Sequence, residues 1–114
     1  MPIDFEDITD SLRRIRLSGR MDIQGTDEIG TQFAALAATA KHRIVVDMTA
    51  VTFLSSIGIR ALVSNAKAQQ LRGGRFVLFV GENTEVSRTL QTTGIDTVIP
   101  MFTDAGKAEG AALD

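Results

Sequence analysis

The sequence predicts an α/β sandwich, a mixed sheet of four to five strands with about four helices mainly on one face. Three observations predict it. Short β-branched runs alternate with amphipathic stretches after an initial pair of strand candidates, an order that implies crossover connections and a sheet that is parallel in its later part. Two of those runs, 44–48 and 76–80, are apolar on both faces, as in strands that are covered on both sides. Right-handed crossovers then place the helices mainly on one side. With 114 residues and no linker, charge block or internal repeat, the chain reads as one domain over 1–114.

Residues 3–8 and 12–18 are the first strand candidates. In the second, Ile15 and Leu17 alternate with Arg14, Arg16 and Ser18, the period of a strand with one wet face. Gly19 is expected to break it. Residues 22–27 form a polar approach to a helix, with Thr26 as its expected N-cap. Ile29, Phe33, Leu36, Ala37 and Ala40 then recur at helical spacing, and Lys41 and His42 suit the negative end of that helix's dipole. Residues 44–48 make a central strand and 49–54 a loop. A second helix follows to about Leu71, with Ile59, Leu62, Val63 and Ala66 as its buried stripe. Gly73-Gly74 stops it, because glycine takes a left-handed cap without a Cβ clash. Residues 76–80 are the next strand. Asn83 caps a third helix through Gln91, with Val86 and Leu90 inward and Gly94 near its end. Thr97-Val98-Ile99 reads as the last strand, closed by Pro100. Thr103 or Asp104 then caps a C-terminal helix to about Leu113.

Composition excludes several functions. The chain has no cysteine, which rules out disulfides, thiolate zinc sites and cysteine nucleophiles. Its single histidine, His42, cannot build a multi-histidine metal site. A net charge of -2 with no Tyr or Trp is unlike a nucleic-acid binder, which needs a basic field and stacking platforms. Arg13, Arg14 and Arg16 therefore read as a wet sheet face. The apolar runs are far short of the ~20 residues that span a bilayer, and the acidic start is unlike a signal peptide. The expectation is a cytoplasmic protein, a monomer or weak homodimer, with no nucleic acid, membrane, metal or cofactor partner. Gly73-Gly74 and Gly81 lack the following Lys-Ser/Thr of a phosphate loop, and nothing flanks Asp22 and Asp47 as a substrate cleft would.

The informative stretch is 47–62, where a buried strand leads to Phe53, Leu54, Ser55, Ser56, Ile57 and Gly58, then Ile59-Arg60-Ala61-Leu62. A serine at the mouth of a helix can cap its orphan N–H groups. A phosphate at the same place would meet the same donors and the positive end of the dipole. The position thus reads both as a cap and as a phosphate acceptor. Arg60, one turn beyond Ser56, reads either as a solvated arginine or as a residue that pairs with such a phosphate or with an acidic partner. Asp22 is expected to order the turn into the first helix, and Asp47 to bond nearby backbone amides.

This stretch resembles the STAS domain family of bacterial anti-sigma factor antagonists. The family pattern is an apolar strand ending in Asp, a loop with Phe, then Asp-Ser-Ser/Thr-Gly opening a helix. Here it reads as 44–47, Phe53 and Ser55-Ser56-Ile57-Gly58. Residues 17–22 resemble its LxGxLD, and 90–95 its LxxTGL. The resemblance implies a STAS-like sandwich that binds an anti-sigma factor serine kinase, is switched off when that kinase phosphorylates it, and is restored by a PP2C-type phosphatase. ATP and Mg²⁺ would belong to the kinase, so the chain is a substrate and not an enzyme. Ser56 is the first expected acceptor and Ser55 the second. The partner surface is Asp22, Phe53, Leu54, Ser55, Ser56, Ile57, Gly58 and Arg60. The sequence departs from the family at two places: Ser55 stands where the Asp is expected, and Ile57 replaces the hydroxyl residue before the glycine. The alternative reading is a STAS module that is not phosphorylated and scaffolds another signalling or lipid-transport assembly.

Overall fold

Ile44, Val45 and Val46 are consecutive and all buried in the computed structural model, which describes residues 2–38 and 43–114. Successive strand side chains point to opposite faces, so both faces of this strand must be covered. It is β3 (Arg43–Leu54), the middle of a five-stranded sheet in sequence order. Its companions are β1 (Ile3–Asp7), β2 (Leu12–Met21), β4 (Arg75–Phe79) and β5 (Met101–Phe102). β1 and β2 are antiparallel, and all other neighbours are parallel. The helices are α1 (Ile23–Ala37), α2 (Ser56–Leu71), α3 (Thr84–Thr92) and α4 (Ala105–Leu113).

The larger core lies under three helices. Ile29 and Phe33 of α1, Leu62 and Ala66 of α2, and Val86 and Leu90 of α3 meet Ile44, Val46, Phe76 and Leu78 of the sheet. Among the described residues α4 alone covers the opposite face, packing Ala108 and Ala112 on Leu12, Val45 and Val77. Small alanines let this last helix sit close to the sheet. The expected mixed sheet, with helices mainly on one face, is the fold found. Ile59 and Val63 of the expected α2 stripe are only partly buried at the edge of the core.

Four local expectations are corrected. Gly19 does not break β2, and residues 49–54 are strand instead of loop. Here β2 and β3 stay paired through two register shifts, one between Arg16 and Ser18 and one between Gly19 and Arg20. β3 spends an extra residue at each, and Gly19 takes a φ of 81° between them, a backbone state that glycine adopts without strain. The cap of α1 is Asp22, and Thr26 lies inside the helix. The last strand follows Pro100 instead of ending at it. Residues 95–97 form a 3₁₀ turn whose backbone bonds consume the amides of Thr97, Val98 and Ile99. Pairing with β4 begins only where Leu78 N–H donates to Pro100 O at 2.8 Å. The expected helix end at Ala40, Lys41 and His42 lies outside the described residues.

The arginines of β2 are not one wet face. Arg13 is buried, bonded to Asp7 at 2.7 Å and to Leu36 O at 3.1 Å, and it lies 4.5 Å over the Phe5 ring. On the other face Arg14 pairs with Glu109 of α4, and Arg16 with Asp4 and Glu6 of β1. Their charges are thus used in joining β2 to its neighbours.

Candidate functional site

β1 pairs with β2 only as far as Leu17, and β4 with β3 only as far as Asp47. Past those points β2 and β3 continue together, and their last paired residues are Met21 and Leu54. Each strand then turns directly into a helix, so α1 and α2 begin side by side. The two starts are built alike. Asp22 caps α1 by accepting Gly25 N–H at 2.8 Å, and Ser55 caps α2 by accepting Gly58 N–H at 3.3 Å. In both, the capped residue is a glycine for lack of room. A Cβ on Gly25 would lie 1.9 Å from Arg20 O. One on Gly58 would lie 2.9 Å from Leu54 Cδ1 and 3.0 Å from both Cβ and O of Met21.

The two serines have different jobs. Ser55 is half-buried and tied to the end of β2, donating to Met21 O from its backbone N at 3.1 Å and from its Oγ at 2.5 Å. Its hydroxyl therefore donates one bond and accepts another. Ser56, the first residue of α2, is exposed, and its hydroxyl has no hydrogen-bond partner among the described residues. It stands beside first-turn N–H groups that a helix cannot satisfy internally. Capping and exposure, which the sequence left joined in one position, are thus divided between two adjacent residues.

The rim is polar and aromatic. Asp22 accepts from Arg20 Nε at 3.2 Å. The Gly25 N–H and then the Arg20 guanidinium hold the Asp22 carboxyl below the usual carboxylate range. Arg20 also lies 4.5 Å over the ring of Phe53, its cross-strand partner, which is 42% exposed. Cation–ring contacts of this kind contribute about 0.5–1 kcal/mol at exposed sites. Arg60 is exposed on α2, four residues beyond Ser56, the spacing that puts two side chains on one helix face.

Among the residues expected at the partner surface, Asp22, Phe53, Ser56, Ile57 and Arg60 reach the exterior to different degrees. Leu54 and Gly58 do not. Both are buried under the paired helix starts, so they shape the site from below. Asp47 is buried and accepts from the N and Oγ1 of Thr49 at 2.9 and 2.6 Å, the backbone-bonding task expected of it. Sequence reasoning did not single out Arg20, which joins Asp22 to Phe53. The signal was present: Asp22-x-x-Gly25 repeats the spacing of Ser55-x-x-Gly58, which marks two equivalent helix starts. Among the described residues no helix is long and apolar enough to cross a membrane.

The sequence model of the STAS domain matches residues 6–108. An anti-sigma factor antagonist from Mycobacterium paratuberculosis superposes with a TM-score of 0.86 at 24% identity, over 98% of this chain and 93% of that one. An anti-sigma-factor antagonist (STAS) domain protein from Planctomyces limnophilus gives 0.80 at 25% identity, over 96% of each. The Bacillus cell fate determinant SpoIIAA in its phosphorylated form gives 0.69 at 17% identity, over 96% of this chain and 98% of that one.

Proposed function

The chain belongs to the STAS domain family, and on that footing we propose that it is an anti-sigma factor antagonist switched off by phosphorylation of Ser56. The observation that carries the reading is the exposed, unbonded Ser56 hydroxyl beside a Ser55 hydroxyl that is engaged twice. A phosphoserine adds about -1.5 to -2 charge and three acceptor oxygens. On Ser56 it would meet the free N–H groups of the first turn, which favours the product without refolding. It would also have to be desolvated by any protein covering this surface, which weakens binding. The partner is an anti-sigma factor that is itself a serine kinase and supplies ATP and Mg²⁺. A PP2C-type phosphatase reverses the modification, and the chain itself catalyses nothing. The setting is the cytoplasm, and the functional unit is the single domain.

Ile57 favours a second reading. It occupies the hydroxyl position before the glycine and cannot take phosphate, which suits a STAS module that scaffolds another assembly constitutively. One experiment separates the two. Each serine-kinase anti-sigma factor of the source bacterium is incubated with wild type, Ser56→Ala and Ser55→Ala in the presence of ATP. The switch requires one kinase to phosphorylate wild type and Ser55→Ala but not Ser56→Ala. Tight binding with no phosphate incorporated by any kinase selects the scaffold.

A further inference from the structure

We infer that the docking surface continues from α2 onto α1, across a groove that receives an apolar side chain of the partner next to a Lys or Arg. This rests on the anti-sigma factor reading above and adds a second element to it. The groove has a volume of about 700 Å³ and lies between the starts of the two helices, lined by Ile23, Gln24, Thr26, Asp27 and Thr31 of α1 and by Ile57 of α2.

Two features point to an occupant of that chemistry. Ile23, the first residue of α1, is 73% exposed, and it contributes apolar surface to the same groove as Ile57. Apolar anchors at the centre of an interface carry most of its affinity. Asp27 is exposed, and among the described residues it has no ion pair and no cation lines the groove. An apolar floor with one unmatched carboxylate complements an apolar side chain flanked by a positive charge. Ser56 directly precedes Ile57, so a phosphate there stands on the rim of the groove that the partner must cover.

The chain's own geometry supplies clean variants. Ile23 is exposed, so Ile23→Ser leaves the core untouched. A Cβ on Gly30, which also borders the groove, meets nothing within 4 Å. Gly30→Leu therefore fills the groove while raising helix propensity. The probe is the anti-sigma factor kinase that phosphorylates Ser56, titrated calorimetrically with the full chain. Ile23→Ser, Gly30→Leu and Asp27→Lys should each weaken binding about tenfold or more. Thermal midpoints should hold, or rise for Gly30→Leu, and the Asp27→Lys deficit should shrink as salt increases. Unchanged affinity in all three variants, with Ser56→Asp still weakening binding, would overturn the groove and leave the switch intact. If no anti-sigma factor kinase binds wild type, both fall. Concentration-dependent dimerisation of the chain that Ile23→Ser abolishes would assign the groove to a second copy and overturn the inference as well.

Discussion

The Ser55 hydroxyl donates to the carbonyl oxygen of Met21 at 2.5 Å, joining residues 34 apart in sequence. That bond holds the start of α2 against the end of β2. It also leaves Ser56 as the hydroxyl of the pair that another protein can reach.

Ser55→Ala removes a helix cap and leaves Met21 O with one donor fewer, so it should cost about 1–2 kcal/mol of stability. Ser56→Ala removes an exposed, unbonded hydroxyl and should stay within about 0.5 kcal/mol of wild type. Urea denaturation measures both. Equal losses would contradict the division of labour between the two serines.

Gly25 and Gly58 should tolerate alanine to unequal extents. The Gly25 Cβ would fall 1.9 Å from a backbone carbonyl oxygen, which moves only if β2 or α1 moves. The Gly58 Cβ would meet Leu54 Cδ1 at 2.9 Å, the far end of a side chain that can rotate, although Met21 backbone lies nearly as close. Gly58→Ala should cost about 1–3 kcal/mol, the range for overpacking, and Gly25→Ala more. Thermal unfolding of the two variants gives the order, and a milder effect at Gly25 would contradict the geometry.

Asp22 links stability to pH. Its folded pKa lies below the ordinary 3.8 because Gly25 N–H and Arg20 favour the carboxylate. A depressed carboxyl contributes stability above its unfolded value and loses it as pH falls through the folded one. Stability should therefore drop from about pH 4 downward. Asp22→Asn keeps a capping oxygen but cannot titrate, so its decline over that window should be shallower. Denaturation midpoints between pH 2 and 6 would check this, and parallel curves would remove Asp22 from the acid transition.

Much of this architecture was readable because local and tertiary signals agree. The Gly73-Gly74 stop of α2, the Asn83 cap of α3 and the alternation of apolar strands with helices depend on neighbours in sequence. What was misread depends on pairing. Val51 and Leu54 are buried while Thr49, Ala50, Thr52 and Phe53 are exposed, a pattern without the two-residue period of a strand. The period is lost because β3 spends an extra residue at each of two register shifts against β2. Thr97, Val98 and Ile99 have β-branched side chains, but their amides are held in a turn, so strand propensity loses to backbone geometry. At the site, the serines were readable from the motif. Which serine caps and which is exposed was not, because it turns on the distant Met21 carbonyl.

Arg60 shares a helix face with Ser56 at a spacing of four residues. Arg60→Ala should slow phosphorylation of Ser56, or weaken binding to the kinase, by about two- to fivefold, the scale of an exposed charge pair. Folding stability should not change. Identical rates and affinities would place Arg60 outside the site.

The most direct measurement is the affinity of the chain for its anti-sigma factor kinase before and after stoichiometric phosphorylation, with the modified residue located by mass spectrometry. The account predicts phosphate on Ser56 and at least tenfold weaker binding of the modified chain. Phosphate on another residue, or equal affinity of the two forms, would contradict it.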